Sequence, residues 1–163
     1  MYSEQSHKFH GQLFKYATES VVVTNSKGII VTVNPSALKL FGYTENEIIG
    51  QKIEKLMASR FEASHQLHRE GFNKNPHNRA MGIGLDLYAM RKDGSEFPVE
   101  ISLSPFSLND ESYVMAFIID ITGRRKVQAQ MLEQKHQLEE ITRELKQTNE
   151  RLEAKVLDRT KVL

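Results

Sequence analysis

Cysteine and tryptophan are both absent from the 163-residue chain, and proline occurs only four times. Without cysteine there can be no disulfide, thiolate metal site, cysteine nucleophile or flavin–cysteinyl adduct. The absence suits a reducing compartment. No apolar run approaches the ~20 residues that a membrane span requires, and the opening MYSEQSHKFHGQ is too polar for a signal peptide. The segment therefore reads as soluble and cytoplasmic, without membrane contact. An excess of one charge is missing too: 22 Lys+Arg stand against 21 Asp+Glu, for a net charge of +1. No basic stripe with interleaved aromatics occurs, so nucleic acid is not expected as a partner.

Two halves with different physics are present, and an α+β class is expected. Residues 1–11 read as a polar lead-in, 12–122 as a globular domain and 123–163 as a helix. In the globular part, SVVVTN (20–25) and IIVTVN (29–34) are β-branched runs joined by SKG, the pattern of a hairpin. NPSALKLFGY (34–43) then predicts a short helix, with Asn34 as cap, Pro35 at the first helical position and Gly42 as stop. TENEIIGQKI (44–53) repeats the device through Thr44, Glu47 and Gly50. A longer helix is predicted over 58–72, with Phe61, His65, His68 and Phe72 on one face. Three strand-rich segments follow, at 80–90, 95–106 and 112–121, the first two joined by a turn at Asp93-Gly94. Alternation along 95–106 predicts Phe97, Val99, Ile101 and Leu103 on the buried face, joined by Leu85, Leu87, Met115 and Phe117. Upstream, HGQLFKYATE (10–19) is amphipathic through Leu13, Phe14 and Ala17 and could pack against a twin.

From 124 to 163 neither Pro nor Gly occurs, and Glu, Lys, Gln, Arg and Leu dominate. Val127, Met131, Leu138, Ile141, Leu145 and Leu152 recur on steps of three and four, with polar Gln134 and Thr148 filling the gaps. This is a coiled-coil seam of about four heptads. Its register breaks at Lys155, and apolar residues resume at Val156. A helix of such length cannot bury its seam against a domain of roughly 110 residues. A homodimer is the simplest partner.

GIIVTVNPSALKLFGYTENEIIGQ, RKDGSEFPVEISLSP and FIIDITGRRKVQAQ, in this order and spacing, resemble a PAS domain over residues 12–124 or so. The resemblance implies a five-stranded antiparallel sheet with flanking helices enclosing a ligand cavity. It also implies that Asp120, Ile121 and Thr122 form the exit motif, where the last strand hands a signal to the output helix. The stretch LEAKVLDRTKVL (152–163) resembles the linker before the phosphoacceptor domain of two-component sensor histidine kinases. That domain is not here: His136 is followed by Gln137-Leu138, with no Pro downstream. The segment is thus expected to be a non-enzymatic sensory module, with a kinase domain downstream in the same chain. A cyclase or chemoreceptor output stays open.

The resemblance also bears on HQLHREGF (65–72). In haem-binding PAS oxygen sensors the iron ligand is a histidine on this helix, and His65, seventeen residues before Gly82, occupies that place. Phe61, His65, Phe72, Ile83, Leu85, Phe97, Met115 and Phe117 are the candidate cavity lining, and His65 the candidate haem ligand. Two departures stand against haem: Leu85 replaces an oxygen-binding Arg, and Ile83 replaces an alternative Met. Zinc on His65 and His68 would lack further ligands. Flavin is disfavoured by the missing Cys and Trp. Beside the signalling reading, a haem-based gas or redox sensor and a ligand-free dimerisation module remain alternatives.

Overall fold

The computed structural model describes residues 2–74, 76–81 and 86–160. Two compact units result, Met1–Thr122 and Gly123–Leu163. The first opens with helix α1 (Tyr2–Tyr16), which runs across the boundary expected between the polar lead-in 1–11 and the domain. Strands β1 (Ser20–Asn25) and β2 (Ile30–Val33) form the expected hairpin. Helices α2 (Pro35–Phe41) and α3 (Glu45–Ile48) follow, then a 3-10 turn (Ile53–Leu56) and α4 (Ser59–Lys74). Short strands β3 (Arg79–Met81) and β4 (Tyr88–Met90) precede the long pair β5 (Glu96–Leu108) and β6 (Glu111–Asp120).

The sheet is antiparallel in the order β2-β1-β6-β5-β3, with β4 also on β5. It is five positions wide. The segment expected as one strand over 80–90 is seen as two pieces along the same neighbour. Met81 faces Ile101, whereas Tyr88 faces Pro98, so the two pieces do not share one register. The β5–β6 connection closes at Leu108 opposite Glu111. Its two central residues, Asn109 and Asp110, both have positive φ (50° and 62°). That backbone suits the sheet's twist, and Asn and Asp tolerate it.

Pairing register fixes which face of β6 is core. Directly opposed residues share a face in an antiparallel pair. Ile118 opposes Ile101, and Ala116 opposes both Leu103 and Val22. With Phe97 and Val99 these side chains meet Ala37, Phe41, Ile48 and Leu56 from the helical side. Met115 and Phe117 oppose Ser104 and Ser102, and therefore stand on the other face. Their expected place in the inner face is corrected by one residue. VMAFIID is apolar at both parities, so alternation could not select the face.

Asn34 ties the start of this unit together. Its side chain is completely buried. Oδ1 accepts from the amides of Ala37, as helix cap, and of Val21 in β1. Nδ2 donates to the carbonyls of Glu19 and Ala17. A buried amide without partners would be costly; here donor and acceptor are both used.

The second unit continues α5 (Thr122–Thr160), 39 residues of uninterrupted helix and about 58 Å long. Val127, Met131, Leu138, Ile141, Leu145 and Leu152 are all more than half exposed. No helix among the described residues is long and apolar enough to cross a membrane.

Asn34→Ala removes the cap and strands the Val21 amide. A loss of about 3 kcal/mol is expected, from roughly 1 for the cap and 1–3 for an orphaned buried donor. Urea unfolding should show a lower midpoint with an unchanged slope.

Candidate functional site

The junction between β6 and α5 is built from three separated segments. Asp120 ends β6. Its Oδ1 accepts from the amide of Thr122, 2.9 Å away, which starts α5. Its Oδ2 pairs with Arg91 Nη2, also at 2.9 Å. Arg91 Nη1 donates to the Leu40 carbonyl at the end of α2. The guanidinium lies 3.7 Å from the centroid of the buried Phe97 ring, within cation–π reach. Ile121, between the two polar residues, is buried, and its amide donates to Pro98 in β5. One carboxylate therefore connects the core, α2 and Thr122, the first residue of α5.

The β4–β5 turn that carries Arg91 is itself fastened. Gly94, at φ +84°, allows the tight reversal expected from Asp93-Gly94. The Lys92 amide donates to Phe41, and Lys92 Nζ pairs with Glu47 at 2.5 Å. Glu47 also accepts from the Thr44 amide and hydroxyl at the start of α3. First the bond from Lys92 and then those from Thr44 hold the Glu47 carboxyl down to about 2. An open groove of about 1080 Å³ borders this junction, lined by Ser36, Leu40, Arg91, Ile119 and Asp120 among others.

The second place of interest is α4. His65 is partly buried, and its Nδ1 lies 3.0 Å from Glu54 Oε1. Arg69 Nη1 lies 3.3 Å from the same oxygen and donates to the Lys27 carbonyl in the β1–β2 turn. Glu54 was not singled out from sequence, because a lone glutamate on a polar turn carries no signal of burial. His68, by contrast, is exposed, so the two imidazoles of the predicted face have different surroundings. Phe61 is half-buried and Phe72 buried, whereas Ile83 and Leu85 lie outside the described residues. Phe97 belongs to the core under α2, and Met115 and Phe117 are on the opposite sheet face. The six described candidates are thus not gathered into one cavity.

Haem can be tested against this geometry. A drug-sized or larger ligand needs about 300 Å³ or more. The small space between Val22, Ala37, Phe41, Ile48 and Leu56 is about 10 Å³ and does not include His65. Glu54 engages Nδ1 of His65, a contact that orients the ring and does not itself bar the other nitrogen from a metal. Neither this space nor the groove at the junction is lined by His65, so neither offers a place for a haem held by that residue. Among them, no three His, Asp or Glu side chains gather to hold a metal ion.

Residues 18–123 match the family model described as PAS domain. The chain is 28% identical over 125 residues to the sensor protein FixL of Bradyrhizobium diazoefficiens, covering 77% of this chain and 25% of that protein. It is also 28% identical over 99 residues to the oxygen sensor protein DosP of Escherichia coli, covering 61% and 12% respectively. The chain thus spans a quarter or less of the length of these curated relatives. Among solved structures, a PAS domain of an HTR-like protein from Haloarcula marismortui aligns at a TM-score of 0.62. That pair shares 28% identity and covers 72% of this chain and 93% of that one.

Two outcomes are expected. A carboxyl depressed in the folded state stabilises at pH above its ordinary value and loses that contribution as pH falls toward the folded value. Lys92→Met should return Glu47 toward the ordinary carboxylate range, read by an NMR titration of its side-chain carbon. Haem added to the purified protein should keep the spectrum of free haem in wild type and His65→Ala alike. A Soret shift abolished only in His65→Ala would reverse that conclusion.

Proposed function

Because the chain belongs to the PAS domain family, we propose that it is the sensory module of a signalling protein and that it relays its state through α5, as a parallel homodimer, to a downstream effector. A histidine kinase domain further along the same polypeptide is the favoured effector. The observation that carries this reading is the shared carboxylate of Asp120. Its two oxygens are committed to different elements, one to Arg91 and the core, the other to the first turn of α5. Any shift in the sheet or in α2 that moves Arg91 must alter the hydrogen bonding at Thr122. A relay of this kind requires two arrangements of the output element, biased from one end.

The helix supplies such an element. Its apolar seam is exposed along a single chain. In a dimer, polar Gln134 and Thr148 and the offset at Lys155 leave its register weakly fixed. Small rotations at the junction can then select between neighbouring packings. FixL, by name a sensor protein, and DosP, by name an oxygen sensor protein, support a sensory role. The absence of cysteine from the sequence allows one reporter thiol to be placed cleanly. Gln147→Cys, labelled with a nitroxide, should give one interchain distance in pulsed dipolar spectroscopy. Adding Arg91→Ala should shift or broaden that distance, and Leu145→Asp should abolish it as the dimer separates. An unchanged distribution in Arg91→Ala would rule out the relay, and a monomer in the parent protein would rule out the dimer.

A further inference from the structure

We propose that Phe97 is a positioning residue for the junction: the face of its ring fixes the plane of the Arg91 guanidinium and, through it, the carboxylate of Asp120. This rests on the reading of Asp120 as the relay to α5. Arg91 directly follows β4, and Phe97 is near the start of β5. Ala89 faces Phe97 across that pair, and the Arg91 amide still donates to Ser95. Two residues beyond Ala89, Arg91 projects from the same face, diagonal to Phe97. Its guanidinium carbon lies 3.7 Å from the ring centroid, the spacing of ordinary carbon–carbon contact. It comes that close only over the ring, with its plane roughly along the ring's. One face of the cation is thereby set against a ring that is 3% exposed. All the N–H groups of a guanidinium lie in its plane. Once the plane is fixed, two acceptors fix the direction within it. The Leu40 carbonyl takes Nη1 at 3.0 Å and Asp120 Oδ2 takes Nη2 at 2.9 Å.

Without that ring the pair would be weak. The side chains of Arg91 and Asp120 are 29% and 27% exposed, so water reaches both. Ion pairs in such surroundings contribute little unless their geometry is held. The negative face of the ring supplies the hold by attracting the cation. Phe97 is itself held by α2. Its ring lies 5.8 Å from that of Phe41, tilted by 56°, within the favoured range for aromatic pairs. Phe41 is the last residue of α2, and its carbonyl takes the Lys92 amide, while Leu40 beside it takes the guanidinium. The last turn of α2 therefore touches both the ring and the cation resting on it. A displacement there tilts Phe97, turns the guanidinium plane and draws on one oxygen of Asp120, whose other oxygen holds Thr122. Phe41 and Phe97 thus give the junction its input from the core.

The test separates the ring's attraction for charge from its bulk. In the full chain, Phe97 is replaced by a phenylalanine carrying one, two or three ring fluorines. These withdraw negative charge from the ring face and nearly keep its shape. Water exchange of the Thr122 amide, read by NMR, should quicken with each fluorine, by about threefold in all. The Arg91 Nε–H signal should broaden in step, and amides of β1 should keep their wild-type exchange. Arg91→Lys keeps the charge but has no plane, and should quicken Thr122 exchange at least as much. Thr122 exchange that ignores fluorine would overturn the role of Phe97, and indifference to Arg91→Lys would overturn that of the guanidinium plane. An equal acceleration throughout β1 would overturn the proposal as well, since the domain would then have loosened as a whole. So would an acceleration in Phe97→Leu that no fluorinated ring reproduces, because the ring would then act by bulk alone. These readouts lie within one protomer and require neither a dimer nor an effector. Fluorine-dependent exchange at Thr122 with an unmoved interchain distance at the Gln147→Cys label would uphold the positioning role and overturn the relay alone.

Discussion

The domain depends first on one buried amide. Asn34 has no exposed surface, yet it satisfies backbone groups on both sides of the first hairpin. It caps α2, holds β1 through Val21 and receives the connector from α1 through Ala17 and Glu19. Ser36 adds a 2.6 Å bond to the same Ala17 carbonyl. β1 is flanked by β2 and β6, so a shift of Asn34 would propagate into the strand that ends at Asp120. An apolar residue of similar volume would fill the space but leave these backbone groups unpaired in a medium without water.

The same economy of polar contacts recurs at two other places with opposite consequences. At Asp120 both carboxylate oxygens are used and Arg91 is stacked on a core ring, so the strand end and the helix start are coupled. At Glu54 one oxygen takes two cationic or imidazole partners and the other takes none among the described residues. A fully satisfied network stiffens its surroundings, whereas a buried polar atom without a partner is costly.

Elements announced by local chemistry were legible in the sequence. Asn34-Pro35, Gly42, Asp93-Gly94 and the β-branched runs of β1 and β2 each encode a conformation within a few residues. The long helix was legible because 39 residues without Pro and with a three–four apolar spacing leave no competing structure. The face of β6 was not, because Met115, Ala116, Phe117 and Ile118 are all apolar and only pairing with β5 sets their parity. Nor could the segment 79–90 be read as two strand pieces, since a register mismatch is a property of two chains, not one.

His65 shows where the division falls. Helical spacing placed it beside Phe61 and Phe72 but could not say what would meet it. The answer, Glu54, lies eleven residues earlier on a turn whose own pattern is unremarkably polar. Most helices and strands, their caps and turns, and the apolar seam of α5 follow from neighbours within one or two turns of chain; α1 and the two pieces β3 and β4 do not. Which carboxylates are buried, that Asp120 meets Arg91 and that Glu54 meets His65 and Arg69 come from the folded arrangement. Burial and long-range pairing arise from the packing of distant segments, and no local pattern encodes them.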